Sequence, residues 1–291
     1  MIKDYIKLIR PKHWIKNFFV FAGLIFSLNL LHLGYIIKSL EAFAAFCLAS
    51  SAVYILNDIF DKEKDRNHPI KNKRPIASGR ISVPIALVLF VIFLGGSISL
   101  TLMLNIPTLI ILVLYILMNF FYTIYLKHIV ILDVMIIALG FVFRVMAGNF
   151  AIGVPSTNWI LLTTLAISLF IGFGKRRHEI LLIDKDPHTH RPVLGHYNVQ
   201  LLDYMMIISV TLTIITYALY SIDVEVIKKF GTNKLIYSVP LVIFGVFRYM
   251  YIIFKKGGGG DPADIVARDK YIIIDVILYV LVIVGILYLK I

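Results

Sequence analysis

Residues 57–65 read Asn57-Asp58-Ile59-Phe60-Asp61-Lys62-Glu63-Lys64-Asp65, directly after an apolar stretch and with no proline or glycine break. If the helix implied by that stretch continues, Asn57, Asp61 and Asp65 fall at i, i+4 and i+8 and stack on one face, with Asp58 flanking Asp61. Like charges at such spacing repel by about 0.2–0.5 kcal/mol per pair, and a bound cation removes that penalty. Clustered oxygen donors suit Mg2+, which keeps several waters and shares its shell with substrate phosphates. The chain goes on His68-Pro69-Ile70-Lys71-Asn72-Lys73-Arg74-Pro75-Ile76-Ala77-Ser78-Gly79-Arg80. Lys71, Lys73, Arg74 and Arg80 add phosphate-binding charge, arginine with a bidentate option. Acids at helical spacing followed by bases match a metal–diphosphate ligand better than a merely solvated loop.

A second polar cluster reads Gly174-Lys175-Arg176-Arg177-His178-Glu179. Three cations there are either a membrane anchor or a phosphate clamp. His178 and Glu179 interrupt a pure anchor, and Lys175 and Glu179 can pair at i, i+4. Asp184, Asp186, His188, His190, Arg191 and Tyr197 follow, and His188 with His190 lacks a third ligand at zinc-site spacing. Gly257-Gly258-Gly259-Gly260-Asp261-Pro262-Ala263-Asp264 lacks the Lys-Ser/Thr of a phosphate-binding loop. It reads as a linker, or as a mobile lid whose Asp261 or Asp264 meets a substrate. Arg144 lies inside an apolar stretch and must face a polar cavity or a partner. Asp133 is one candidate, 11 residues and roughly 16 Å away along the same helix. Tyr115, Tyr122 and Tyr125 either line that cavity or form an interfacial belt.

The elements that carry these groups are membrane helices. Of the 291 residues, 59% are hydrophobic and 16% charged, with mean hydropathy +0.88. A soluble domain is expected to hold about 45–50% apolar and 25% charged residues. Apolar spans fall near 17–34, 36–58, 82–104, 107–126, 129–152, 158–174, 201–222, 235–254 and 271–289. The fold class is all-α, a polytopic membrane protein of about nine transmembrane helices in one domain, 1–291. Nine spans put the N-terminus and the even-numbered loops on one side, with 22 of the 29 Lys and Arg residues there and 5 opposite. That asymmetry places the N-terminus and the polar clusters in the cytoplasm. It also accounts for the net charge of +12 without nucleic acid. Cys47 is the lone cysteine, so disulfides within the chain are excluded. The first apolar stretch has no small-residue cleavage site and more spans follow, unlike a cleaved signal peptide.

The run Asn57-Asp58-x-x-Asp61-x-x-x-Asp65 with His68-Pro69-x-Lys71-x-x-Arg74-Pro75-x-Ala77-Ser78-Gly79 resembles the UbiA-type prenyltransferase superfamily. The resemblance implies nine helices around a central cavity opening to the cytoplasmic face of the plasma membrane, with Mg2+ and diphosphate at its rim. Usual members carry a second Asp-x-x-x-Asp motif in the sixth loop; this chain has Lys175-Arg176-Arg177 in its place. With Arg10-Pro11-Lys12-His13-Trp14-Ile15-Lys16-Asn17 and Gly259-Gly260-Asp261-Pro262-Ala263-Asp264, that departure resembles one branch, decaprenyl-phosphate phosphoribosyltransferase.

The branch implies transfer of 5-phosphoribose from phosphoribosyl diphosphate (PRPP) to a polyprenyl phosphate. On that reading Asn57, Asp58, Asp61 and Asp65 hold Mg2+, while Lys71, Arg74 and Lys175 neutralise the leaving diphosphate. Asp58 or Glu179 stabilises a cationic ribose carbon. Arg176, Arg177 or Arg191 orients the lipid phosphate, with Lys16, Tyr122, Arg144 and Asp261 as further substrate contacts. The trade of acids for bases suits three phosphate groups rather than one diphosphate. Two other readings remain: prenyl transfer from a prenyl diphosphate to an aromatic acceptor, and a transporter. The missing acidic motif weighs against the first. The lack of inverted repeats and broken mid-membrane helices weighs against the second.

Overall fold

The computed structural model describes residues 2–68, 71–183, 192–255, 265 and 268–289, and among them there is no strand. They form two compact units, one running to Ser156 and the other built from Thr157 to the end of α8 and from Leu194 onward. The helices are α1 (Ile2–Ile9), a 3-10 helix (Pro11–Phe21), α2 (Ala22–Ile25), α3 (Leu33–Phe60), α4 (Lys62–Arg66), α5 (Val83–Leu104), α6 (Ile106–Ile124) and α7 (Leu132–Ala151) in the first unit. The second holds α8 (Asn158–Ile183), α9 (Val199–Ile222), α10 (Val224–Phe230), α11 (Val239–Lys255) and α12 (Lys270–Val284). Six of these are long and apolar enough to cross a membrane by themselves, and α11 and α12 become so together with the adjoining 3-10 turn Lys234–Ser238 and π turn Gly285–Leu289, which makes eight among the described residues.

Where a single span was expected at 17–34, the chain takes another form, and this segment is not among the eight long helices. The 11-residue 3-10 helix runs into the 4-residue α2 and then a turn. At about 2.0 Å per 3-10 residue and 1.5 Å per α residue, the pair extends about 28 Å, close to the ~30 Å hydrocarbon core. A regular α-helix of that length would fall several ångströms short. The contacts trace the crossing: Arg10 meets Asp58 at one end of the unit, and Gly23 meets Asn149 at the other.

A period of three selects the 3-10 form, because residues i and i+3 eclipse there. Trp14, Asn17, Val20 and Gly23 share that period. Trp14 Nε1 donates to Ser51 Oγ at 3.0 Å, and Asn17 Nδ2 reaches Ser50 Oγ and Cys47 Sγ, each at 3.3 Å. Val20 is fully buried. An added Cβ on Gly148 would stand 1.8 Å from the Val20 carbonyl oxygen, and one on Gly23 would stand 1.9 Å from Asn149 Oδ1. The glycine Cα–H groups therefore point at oxygens, a weak hydrogen bond that accompanies close helix approach. It also accounts for Asn149 Oδ1 being buried without an N–H or O–H donor.

Small residues let α3 sit at the centre of its unit: Ser39, Ala42, Ala45, Cys47, Ala49, Ser50, Ser51 and Ala52 are buried along it. Large aliphatics on α5, among them Ile85, Val88, Val91 and Ile92, point outward, as a lipid-facing helix requires. Polar side chains start several helices. Asn105 accepts from Thr108 N at the head of α6 and Asn198 from Leu201 N at the head of α9. In the second unit Asp269 caps α12 while Arg248 holds it by two bonds of 3.1 and 2.8 Å. Those bonds keep the Asp269 carboxyl below the ordinary carboxylate range.

Gly148→Ala is expected to cost about 1–3 kcal/mol of stability through overpacking against Val20. Gly95→Ala, where an added Cβ meets nothing within 4 Å, should leave stability unchanged or raise it. Thermal unfolding of the two variants in detergent checks this, and equal midpoints would remove the close-contact account.

Candidate active site

The acidic face survives a break in its helix. α3 ends at Phe60 and α4 begins at Lys62, yet Asp61 N donates to Asn57 O at 2.9 Å and Asp65 N to Asp61 O at 2.8 Å. Asn57, Asp61 and Asp65 therefore still follow one another a turn apart. Each carboxylate of the cluster meets a cation. Asp58, 2% exposed, accepts at Oδ1 from Arg10 Nη2 (2.6 Å) and Arg74 Nη1 (3.0 Å). Arg74 Nη1 also donates to Asp65 Oδ2 at 2.6 Å, and Lys127 Nζ to Asp61 Oδ1 at 2.8 Å.

Separate elements deliver these three cations. Arg10 has φ 52°, ψ 59°, a left-handed turn between α1 and the 3-10 helix that opens with Pro11. That conformation costs a non-glycine residue roughly 1–2 kcal/mol. It swings the guanidinium over the Tyr54 ring, 4.8 Å from its centre, and onto Asp58. Arg74 opens a turn in which Ser78 N donates to its carbonyl at 2.9 Å and Gly79 supplies φ 75°. That loop is fixed by Ile76 and Ile81, which pack with Leu8, Ile55 and Ala86. Lys127 stands in the short 3-10 turn Leu126–His128 between α6 and α7.

Deeper in the same unit Arg144 is 7% exposed. Its Nε donates to Asn17 Oδ1 at 2.7 Å, Nη1 to the Gly140 carbonyl at 2.6 Å and Nη2 to Tyr115 Oη at 3.0 Å. The guanidinium stacks against Tyr115 and Phe141, 4.9 and 5.1 Å from the ring centres. Its hydrogen-bond partners are thus neutral oxygens, and Asp133 is not among them. Lys16, Lys71 and Tyr122 are each partly buried.

In the second unit α8 continues nine residues past the span end expected at 174, so Lys175 to Glu179 are helical. Arg176, 1% exposed, donates to Glu179 Oε2 at 2.6 Å. Arg177 Nε donates to Asp203 Oδ1 of α9 at 2.5 Å and its guanidinium lies 4.5 Å from the Phe254 ring of α11. Arg177 thereby joins three helices, which is a packing task. Arg191, Asp261 and Asp264, like Asp184, Asp186, His188 and His190, lie outside the described residues.

Arg10, Asn17 and Lys127 were not among the residues singled out for this site. Arg10 and Asn17 lie in the run Arg10–Asn17 that carries the branch resemblance, and Lys127 is the single charge between two apolar spans; those were the available signals.

Among the described residues no group of three or more His, Cys, Asp or Glu side chains stands close enough to hold a metal ion. The donor set nevertheless fits a hard divalent cation. Asn57 Oδ1 is buried with no hydrogen-bond donor, and it shares a helix end with three carboxylates. In place of a metal, Arg74 Nη1 bridges Asp58 and Asp65, and Lys127 meets Asp61.

The described residues form a helical, multi-pass membrane protein with paired acids and bases at a helix end, and the comparisons place it among membrane transferases. The UbiA prenyltransferase family pattern matches residues 17–263, and the chain belongs to that family. It is 31% identical over 280 residues to decaprenyl-phosphate phosphoribosyltransferase of Mycobacterium tuberculosis, covering 93% of this chain and 89% of that protein. The protein of the same name from Corynebacterium glutamicum is 32% identical over 294 residues, covering 98% and 86%. A UbiA homolog from Archaeoglobus fulgidus, solved with GPP and Mg2+, shares the fold with a TM-score of 0.72 at 18% identity, covering 98% and 99% of the two chains. The resemblance to the superfamily and to its phosphoribosyltransferase branch therefore holds.

Arg144→Met and Asn17→Ala should not add. Each strands the other's hydrogen-bonding group, so a double-mutant cycle read by thermal unfolding should give a coupling of about 1–3 kcal/mol. A coupling near zero would mean that Arg144 does not depend on Asn17.

Proposed function

We propose that the protein transfers 5-phosphoribose from PRPP to a polyprenyl phosphate, releasing diphosphate, at the cytoplasmic face of the cell membrane. The observation that carries the reading is the meeting of three carboxylates with two arginines and a lysine at the end of α3, in a chain 31–32% identical to decaprenyl-phosphate phosphoribosyltransferases. The side of the membrane is inferred from the lysine and arginine asymmetry. Arg80 pairing with Asp4 at 3.2 Å supports putting the N-terminus and the 61–82 loop together.

Asn57, Asp58, Asp61 and Asp65 would hold Mg2+, directly or through water. Bound there, the ion would neutralise charge on the departing diphosphate. Arg74, with Arg10 and Lys127, binds and orients the diphosphate, and Lys71 adds positive charge beside it. The bond between ribose C1 and the diphosphate oxygen breaks, and the electron pair leaves with the diphosphate. A lipid-phosphate oxygen forms the new bond to C1. That oxygen is already anionic at neutral pH, so no strong base is needed. Asp58, buried at the end of α3, is the carboxylate suited to stabilising positive charge on C1. In the second unit, Lys175 is proposed to bind an anionic substrate group. Arg177 is better explained by its pair with Asp203.

The reading is tested with purified protein, Mg2+, labelled PRPP and a short polyprenyl phosphate. Label should enter the organic phase only with Mg2+, and Asp61→Asn and Lys175→Ala should each lower turnover more than about tenfold, roughly 1.4 kcal/mol. Label that stays aqueous across several lipid phosphates would overturn the donor assignment, and prenyl diphosphates with aromatic acceptors would be tried next.

A further inference from the structure

The three cations of the acidic cluster pose a question that the transfer reaction does not answer. A carboxylate bonded to arginine or lysine is occupied as a metal ligand, and the same arginine or lysine is occupied as a phosphate ligand. Asp58, Asp61 and Asp65 balance Arg10, Arg74 and Lys127 in number, so the cluster as it stands is close to neutral. Mg2+ arriving alone competes with the cations for the carboxylates and is left facing those cations. Diphosphate arriving alone must draw the cations off and leave three carboxylates bare. Arriving together, each takes what the other releases.

We propose that Arg10, Arg74 and Lys127 are exchangeable counter-ions, moving from carboxylate to diphosphate as the metal takes the carboxylates, so that metal and diphosphate bind as a coupled pair. The geometry allows the exchange because one oxygen of each carboxylate carries the cation, Oδ1 of Asp58 and Asp61 and Oδ2 of Asp65. The cations sit on the N-terminal turn, the Arg74 loop and the Leu126–His128 turn rather than within long helices, and their side chains are 15–26% exposed. Asn57 Oδ1, buried without a donor, has no partner to give up. This rests on the proposal that the site binds a metal–diphosphate.

The test uses the whole purified protein, Mn2+ as the metal probe read by the EPR signal of the free ion, and labelled inorganic diphosphate read by retention on the protein. Removing a counter-ion should act in opposite directions on the two ligands. Lys127→Met and Arg74→Gln should each bind Mn2+ alone about tenfold more tightly than the parent, and retain diphosphate at fixed Mn2+ about tenfold less tightly. A merely structural role would weaken both. Mn2+ affinity unchanged or reduced in both variants overturns the proposal. Should the variants elute as misfolded protein, the parent decides. Diphosphate must raise its Mn2+ affinity, and Mn2+ its diphosphate affinity, by one common factor beyond complex formation in solution. Independent binding overturns it. Coupled binding without ribosyl transfer would sink the donor reading alone; transfer without the coupling would sink the exchange alone.

Discussion

A guanidinium buried among membrane helices has to be answered by oxygens, and here Asn17 answers that of Arg144. The 2.7 Å bond from Nε to Asn17 Oδ1 leaves the Asn17 amide nitrogen to donate to Cys47 and Ser50 of α3. One amide group thus ties α7, the first crossing segment and α3. Its other neighbours follow from the same demand. Gly140 presents a bare carbonyl, and an added Cβ there would stand 3.3 Å from Arg144 Nη1. Tyr115 gives its hydroxyl and its ring face at once. Replacing either partner strands a buried polar group, which costs more than the bond itself is worth.

From that anchor the rest of the first unit can be read outward. Asn17 sets the rotation of the 3-10 helix, and three residues earlier Trp14 is set on Ser51. The Ser51 hydroxyl donates to the Ile9 carbonyl at 2.8 Å, next to the left-handed turn at Arg10. The strained turn is held because residues on both sides of it are fixed. Its product is an arginine on Asp58, at the spot where the end of α3 concentrates negative charge. Structural polar groups inside the bundle and chemically useful ones at its rim are therefore parts of one chain of contacts.

Hydropathy made the long spans legible, because lipid imposes one requirement on every residue that faces it. All eight long helices begin within three residues of the span read from sequence, and α5 and α9 end at the residue expected. The acidic motif was legible too, since helical spacing of carboxylates is a local pattern. Two kinds of feature were hidden. The first crossing has the same apolar composition as a helix, and only the period of Trp14, Asn17 and Val20 distinguishes it. The apolar span ends at 174, while α8 runs on to Ile183, because charged residues that find partners on α9 or within their own helix need not end it. Pairings such as Arg10 with Asp58 and Lys127 with Asp61 join residues 48 and 66 positions apart, and no local pattern encodes them.

The same residue type does opposite work in the two units, and the geometry of the shared carboxylate tells the two apart. Arg177 is the arginine on Asp203, its ring contact with Phe254 fixes it further, and its departure would leave a half-buried carboxylate bare. Such a pair is costly to break and serves as a tie. Arg10 instead shares Asp58 Oδ1 with Arg74, and Arg74 in turn bridges to Asp65. Either arginine can leave Asp58 without stripping it of positive charge. A carboxylate with two cations is held firmly in place while each cation is held loosely. At Asp58 that combination keeps the acid still while one arginine is freed for an anionic ligand.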